Sequence, residues 1–131
     1  MVRILMVDDD TAQLNRMSEI LRKAFPDYEI HAATGLSEAI EKVEELQAIS
    51  LIVADYRLSD GTGYDLLKYA QDRLTNVPVI IITAYGKDEE QEVRAALSFK
   101  QGAFDFMHKP IDYDELIERI GRALRIAEEL A

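Results

Sequence analysis

The sequence has no cysteine among its 131 residues. That absence excludes a disulfide framework, a thiolate nucleophile and a cysteine-ligated zinc site, and it permits an intracellular setting without requiring one. Positive charge is scarce as well, with 15 Lys and Arg against 25 Asp and Glu and a formal net charge of -10. A molecule so charged repels phosphate backbones and anionic lipid surfaces, so direct binding of nucleic acid or membrane by this chain is not expected. Long hydrophobic runs are also missing. The longest, Leu51 to Ala54 and Val77 to Ile82, fall far short of a bilayer span. Met1 to Val7 leads straight into Asp8, Asp9 and Asp10 rather than a signal-peptide cleavage site, so the expected location is the cytoplasm. No Pro/Gly/Ser-rich linker or low-complexity tract interrupts the chain.

What is present is a composition of 48% hydrophobic and 31% charged residues, that of an ordinary globular chain. The length suits one compact domain over residues 1–131, burying about two thirds of its unfolded surface. Short β-branched runs alternate with segments of helical periodicity. Strands are expected at Arg3 to Val7, Tyr28 to Ala32, Leu51 to Ala54, Val79 to Ile82 and Ala103 to Met107. The first, third and fourth are apolar with almost no alternation, as in parallel strands covered on both faces. Between them, Leu14, Met17, Leu21 and Ala24, then Leu36, Ala39, Ile40, Val43 and Leu46, then Leu66, Leu67, Ala70 and Leu74, follow helical spacing. Val93, Ala96 and Leu97 mark a weaker fourth helix, and Leu116, Ile120 and Leu124 a clear fifth, with Asp112 and Glu115 at capping-box spacing at its start. Five βα pairs joined by right-handed crossovers predict an α/β, flavodoxin-like (βα)5 fold: a doubly wound parallel sheet of strand order 2-1-3-4-5.

In such sheets chemistry sits beyond the carboxyl ends of the strands. There the sequence places Asp8, Asp9 and Asp10 after strand one, Asp55 after strand three, Thr83 after strand four, and Lys109 and Pro110 after strand five. Each has a plain structural reading. The acidic triplet can cap a helix, which accounts for Asp10 in any case; Asp55 can open a turn continued by Asp60, Gly61 and Gly63; Thr83 suits a strand end and Lys109 a solvated surface. Together they describe something else. Strands one and three are neighbours in the predicted order, so Asp8 or Asp9 faces Asp55, and carboxylates that close repel unless a cation keeps them ionised. Mg²⁺ suits a few carboxylates, a carbonyl and retained waters. Acid, acid, hydroxyl and ammonium at four strand ends fit phosphoryl transfer, in which a carboxylate attacks and the metal and lysine neutralise the phosphoryl oxygens.

At these residues the sequence resembles the receiver domains of two-component response regulators. The matching pieces are ILMVDDD at 4–10, LIVADYRLSDGTG at 51–63, VPVIIITAYG at 77–86 and GAFDFMHKP at 102–110, in the family's order and at nearly its spacing. The resemblance implies that Asp55 is the phosphoacceptor, served by a sensor histidine kinase, a histidine phosphotransfer protein or a small phosphodonor. It implies Mg²⁺ held by Asp9, Asp55 and the backbone carbonyl of Arg57, with Asp8 acting chiefly through metal-bound water. Thr83 would bond the new phosphoryl group and Lys109 would pair with another of its oxygens. The Lys109–Pro110 peptide is expected to be cis. Phe106 falls at the family's aromatic switch position, with plain core packing as an equal alternative. Switching would alter a face formed by the fourth helix, fifth strand and fifth helix, leaving open a homodimer through that face and a downstream effector domain or protein. On this reading the chain is a signalling switch that assists only its own phosphorylation and dephosphorylation, not an enzyme.

The sequence departs from the family pattern in places. Ser59 stands where proline is common, Ile111 where phenylalanine often follows the Lys-Pro pair, and the stretch from Thr83 to Gly102 is longer by about one helical turn, with an acidic run from Gly86 to Glu92. Arg57 and Tyr85 occupy variable positions that tune phosphoryl lifetime in the family. His31 and His108 carry no catalytic pattern and are read as surface residues. Three other functions fit these residues less well. A haloacid-dehalogenase-like phosphatase needs Thr or Val where Ala12 stands; a pseudo-receiver has no use for the convergent set; a flavin carrier needs a phosphate loop after strand one.

Overall fold

A computed structural model describes residues 1–84 and 104–130. Five parallel strands, β1 (Arg3–Val7), β2 (Glu29–Ala33), β3 (Leu51–Asp55), β4 (Val79–Thr83) and β5 (Phe104–His108), form one sheet of order β2-β1-β3-β4-β5. That is the expected topology. Helices α1 (Thr11–Ala24), α2 (Leu36–Leu46) and α3 (Gly63–Arg73) and a C-terminal helix (Tyr113–Leu130) cover it. The predicted fourth helix, around Val93 to Leu97, lies outside the described residues, as does Tyr85.

The unbroken apolar runs have a direct structural cause. Successive side chains of a strand point to opposite faces, so a strand covered on both sides must be apolar at every position. Leu5, Val7, Ile52, Ala54, Val79 and Ile81 enter one core with Ala39 and Val43 of α2 and Leu66, Leu67 and Ala70 of α3. Their alternates Ile4, Met6, Leu51, Val53, Ile80 and Ile82 enter a second core with Leu14, Met17 and Leu21 of α1 and Leu116 and Ile120 of the C-terminal helix. Each fully buried Leu or Ile contributes roughly 1.5–3 kcal/mol by leaving water.

Four strand boundaries differ slightly from expectation. β2 runs one residue later and β5 continues to His108, with Ala103 outside the described residues, and Tyr28 instead stacks on Phe25 with ring centroids 5.0 Å apart. β3 and β4 extend to include Asp55 and Thr83, so both residues sit in the hydrogen-bonded ladder, not in a following loop. Beyond β3 a short antiparallel ribbon pairs Arg57–Leu58 with Gly61–Thr62, turning through Ser59 and Asp60.

Helix starts follow ordinary capping chemistry. Asp10 caps α1, accepting from the Gln13 amide at 3.2 Å, and Asp112 accepts from the Glu115 amide at 3.1 Å. Thr62 and Asp65 form a full capping box at the start of α3.

Candidate functional site

The ladder that builds the sheet also positions the polar groups at its carboxyl edge. Past β1, the Asp8 amide donates to the Ala33 carbonyl at 3.1 Å, prolonging the pairing with β2 and fixing the backbone of Asp8. The Asp8 side chain is buried, 2% exposed, and its Oδ1 accepts from the Asp10 amide at 2.9 Å. Asp9 is exposed. Asp55 pairs with Ile82 across β3 and β4, and the next amide, Tyr56, donates to the Ile82 carbonyl at 2.8 Å. Thr83, one residue further along β4, is fully buried and accepts at its carbonyl from the Lys109 amide at 2.8 Å. The Lys109–Pro110 peptide is cis.

These backbones bring three carboxylates and an ammonium together. One ligand oxygen from each of Asp8, Asp9 and Asp55 lies within 4.8 Å of the others. Lys109 Nζ donates to Asp55 Oδ2 at 2.9 Å, and the Arg57 amide donates to Asp55 Oδ1 at 3.4 Å. Burial, reinforced by the nearby charges of Asp55 and Asp9, outweighs the Asp10 amide and Lys109 and lifts the Asp8 carboxyl to about 6. For Lys109, burial works against the charge. Its hydrogen bond to Asp55 and the charges of Asp55, Asp8 and Asp10 nevertheless raise it above its usual value.

Three carboxylates against one ammonium leave the cluster two charges short of neutrality. A hard divalent cation fits that donor set: oxygen ligands only, mutually within reach, and one buried acid that resists ionisation by itself. Among transition-metal and alkaline-earth choices, an all-oxygen site favours the latter.

Other expected residues fall as follows. Arg57 is exposed on the ribbon next to Asp55. Phe106 is 4% exposed, pairs with Ile81 in the ladder and belongs to the core shared with α2 and α3. His31 lies on edge strand β2, with Nε2 2.9 Å from Glu29 Oε1, and His108 is exposed at the end of β5.

Two residues that support the site went unread in the sequence beyond turn chemistry. Gly63 packs against the site strand: its amide donates to the Tyr56 carbonyl at 2.7 Å, and a Cβ there would lie 2.9 Å from the Asp55 carbonyl oxygen. Asp60 accepts from the Leu36 amide at 2.7 Å and the Ser37 amide at 2.9 Å, capping α2 from a ribbon 23–24 residues away. No side-chain pattern points to Asp60, whose partners are main-chain amides; for the α3 cap, Thr62, the acid three residues on is the signal.

A sequence profile described as the response regulator receiver domain matches residues 4–121. The chain belongs to the response regulator receiver family. This receiver is 35% identical over 121 residues to the response regulator protein PilR of Pseudomonas aeruginosa, covering 92% of this chain and 26% of that protein. It is 34% identical over 128 residues to the methanogenesis regulatory protein FilR1 of Methanothrix harundinacea, covering 96% and 26%. The receiver thus spans about a quarter of the length of these relatives. Among solved structures it is similar to a CheY-like receiver domain protein of Methanospirillum hungatei, with a TM-score of 0.86, 30% identity, and 100% and 99% of the two chains covered. A receiver domain of Clostridium thermocellum gives a TM-score of 0.84 at 25% identity, with both chains fully covered. The family and the parallel five-stranded sheet agree with the flavodoxin-like reading of the sequence. Among the described residues, no helix is long and apolar enough to cross a membrane.

Proposed function

We propose that this receiver is a phosphorylation switch in which Asp55 accepts a phosphoryl group from a sensor histidine kinase, a histidine phosphotransfer protein or a small phosphodonor. The observation that carries this reading is the convergence on Asp55 of Asp8 and Asp9 from one strand end and Lys109 from another. Asp9, Asp55 and the Arg57 backbone carbonyl are the direct Mg²⁺ ligands in this proposal, and Asp8 acts through a bound water. When bound, the ion supplies positive charge to the phosphoryl oxygens and holds the carboxylates ionised.

Asp55 is the nucleophile. Its carboxylate oxygen forms the O–P bond as the donor's P–N bond breaks, the electron pair returning to the ring nitrogen of a phosphoimidazole already protonated on its other nitrogen, so that neutral imidazole leaves; with an acyl phosphate the P–O bond breaks and carboxylate leaves. Lys109, held 2.9 Å from Asp55 Oδ2, transfers its hydrogen bond to a phosphoryl oxygen. The Thr83 hydroxyl donates to another, and Phe106 responds by repacking. That repacking alters the face that includes β5 and the C-terminal helix, the surface for a second copy or an effector. The domain spans residues 1–131, works in the cytoplasm and turns over no substrate beyond its own phosphoryl group.

Intact-mass analysis after treatment with acetyl phosphate tests the proposal. One phosphoryl adduct is expected on the parent, dependent on Mg²⁺, and none on Asp55→Asn. An adduct that survives the substitution, or one formed equally in EDTA, would overturn it.

A further inference from the structure

The ribbon that follows Asp55 is clamped at both ends. At its base, Arg57 pairs with Thr62, which is locked into the α3 capping box, and the Gly63 amide is tied to the Tyr56 carbonyl. Midway, Leu58 is buried in the core shared with α2 and α3. At its tip, Asp60 reaches the first turn of α2 with both carboxylate oxygens, one on the Leu36 amide and one on the Ser37 amide. These two donors draw the Asp60 carboxyl below its usual range. Helix α2 has no other side-chain cap, because its N-cap residue is Gly35. A Cβ at position 35 would lie 2.8 Å from Asp60 Oδ1, so a larger residue there must push the capping carboxylate aside. The tip is exposed and closes a two-residue turn, held otherwise by the Leu58–Gly61 pairing and the buried Leu58 side chain.

We infer that Asp60 is a positioning residue for the metal site, its bidentate cap on α2 holding the ribbon so that the Arg57 peptide keeps a fixed offset from Asp55. The inference rests on the metal-site reading above. The hydrogen bonds of Asp60 go to α2, so its effect reaches the metal ligands through the ribbon, whose paired strands carry the constraint from tip to base. Partners that orient a metal's ligands alter affinity without themselves binding the metal.

Mg²⁺ titration calorimetry on the whole chain, paired with urea unfolding in EDTA, tests this. The variants are Asp60→Ala, Asp60→Asn, Gly35→Ala and Val43→Ala, the last a core truncation in the same helix away from the clamp. Asp60→Ala and Gly35→Ala should each weaken Mg²⁺ binding by at least about tenfold. Asp60→Asn, which keeps one acceptor oxygen, should recover part of that loss, and it keeps the test open if the alanine variant does not fold. Val43→Ala should lower the urea midpoint with no change in Mg²⁺ affinity. Unchanged affinity in Asp60→Ala, or an equal loss in Val43→Ala, would reduce Asp60 to an ordinary helix cap. A parent that binds no Mg²⁺ would instead remove the metal site, and this inference with it.

Discussion

Replacing Asp8 by Asn should make the metal-free protein more stable. The substitution is isosteric and keeps an oxygen to accept from the Asp10 amide, so it changes charge with little change in shape. In the folded chain the Asp8 carboxyl titrates at about 6 against an ordinary 3.8. At about 1.4 kcal/mol per pH unit, that interval amounts to about 3 kcal/mol by which the folded state opposes the charge at pH 7. Between pH 3.8 and 6 the folded protein holds a proton here that the unfolded chain releases. Stability therefore falls as pH rises through this window, and Asn lacks that slope. The amide of Asn must find its own partner, which offsets about 1 kcal/mol of the gain. A net stabilisation of about 1–2 kcal/mol at pH 7 in EDTA is expected, measured by urea or thermal unfolding, and it should vanish below pH 4. Mg²⁺ should narrow the gap by stabilising the parent, by about 1.4 kcal/mol at ten times its Kd, and the variant less. An Asn variant less stable than the parent at pH 7, or a difference that ignores pH, would refute the electrostatic account.

Lys109→Met removes the ammonium 2.9 Å from Asp55, and phosphorylation by acetyl phosphate should slow by roughly 10²-fold at saturating Mg²⁺, read by intact mass against time. Thr62→Ala should lose the α3 capping box and about 1 kcal/mol of stability in urea unfolding. Leu66→Ala empties a fully buried position and should cost about 2–5 kcal/mol with an unchanged m-value.

The sheet was legible because its central strands obey one rule. Ile4 to Val7, Leu51 to Ala54 and Val79 to Ile82 are apolar without a break because both faces are covered, and few other architectures ask that of a strand. The acids at 8, 9 and 55 were legible for the same reason, since each ends such a run. The cap from Asp60 to α2 was not. It joins residues 23–24 apart through main-chain amides, and a backbone donor leaves no mark in the side-chain sequence. Thr62 was different: its partner Asp65 stands at capping-box spacing, but the neighbouring glycines drew the segment toward a turn. Asp8 shows a third limit, because the sequence places it beside Asp9 with no sign that one is buried and the other exposed.

The amide of Tyr56 on the Ile82 carbonyl and the amide of Lys109 on the Thr83 carbonyl stitch three adjacent chain segments into a single rigid hem. The spans between positions 55, 83 and 109 are therefore set by main-chain pairing and cannot widen or shrink to suit a docking protein. What remains free is torsion about side-chain bonds. Any signal leaving this hem must begin as a rotation of a few atoms, and its reach depends on how the neighbouring core accommodates that turn.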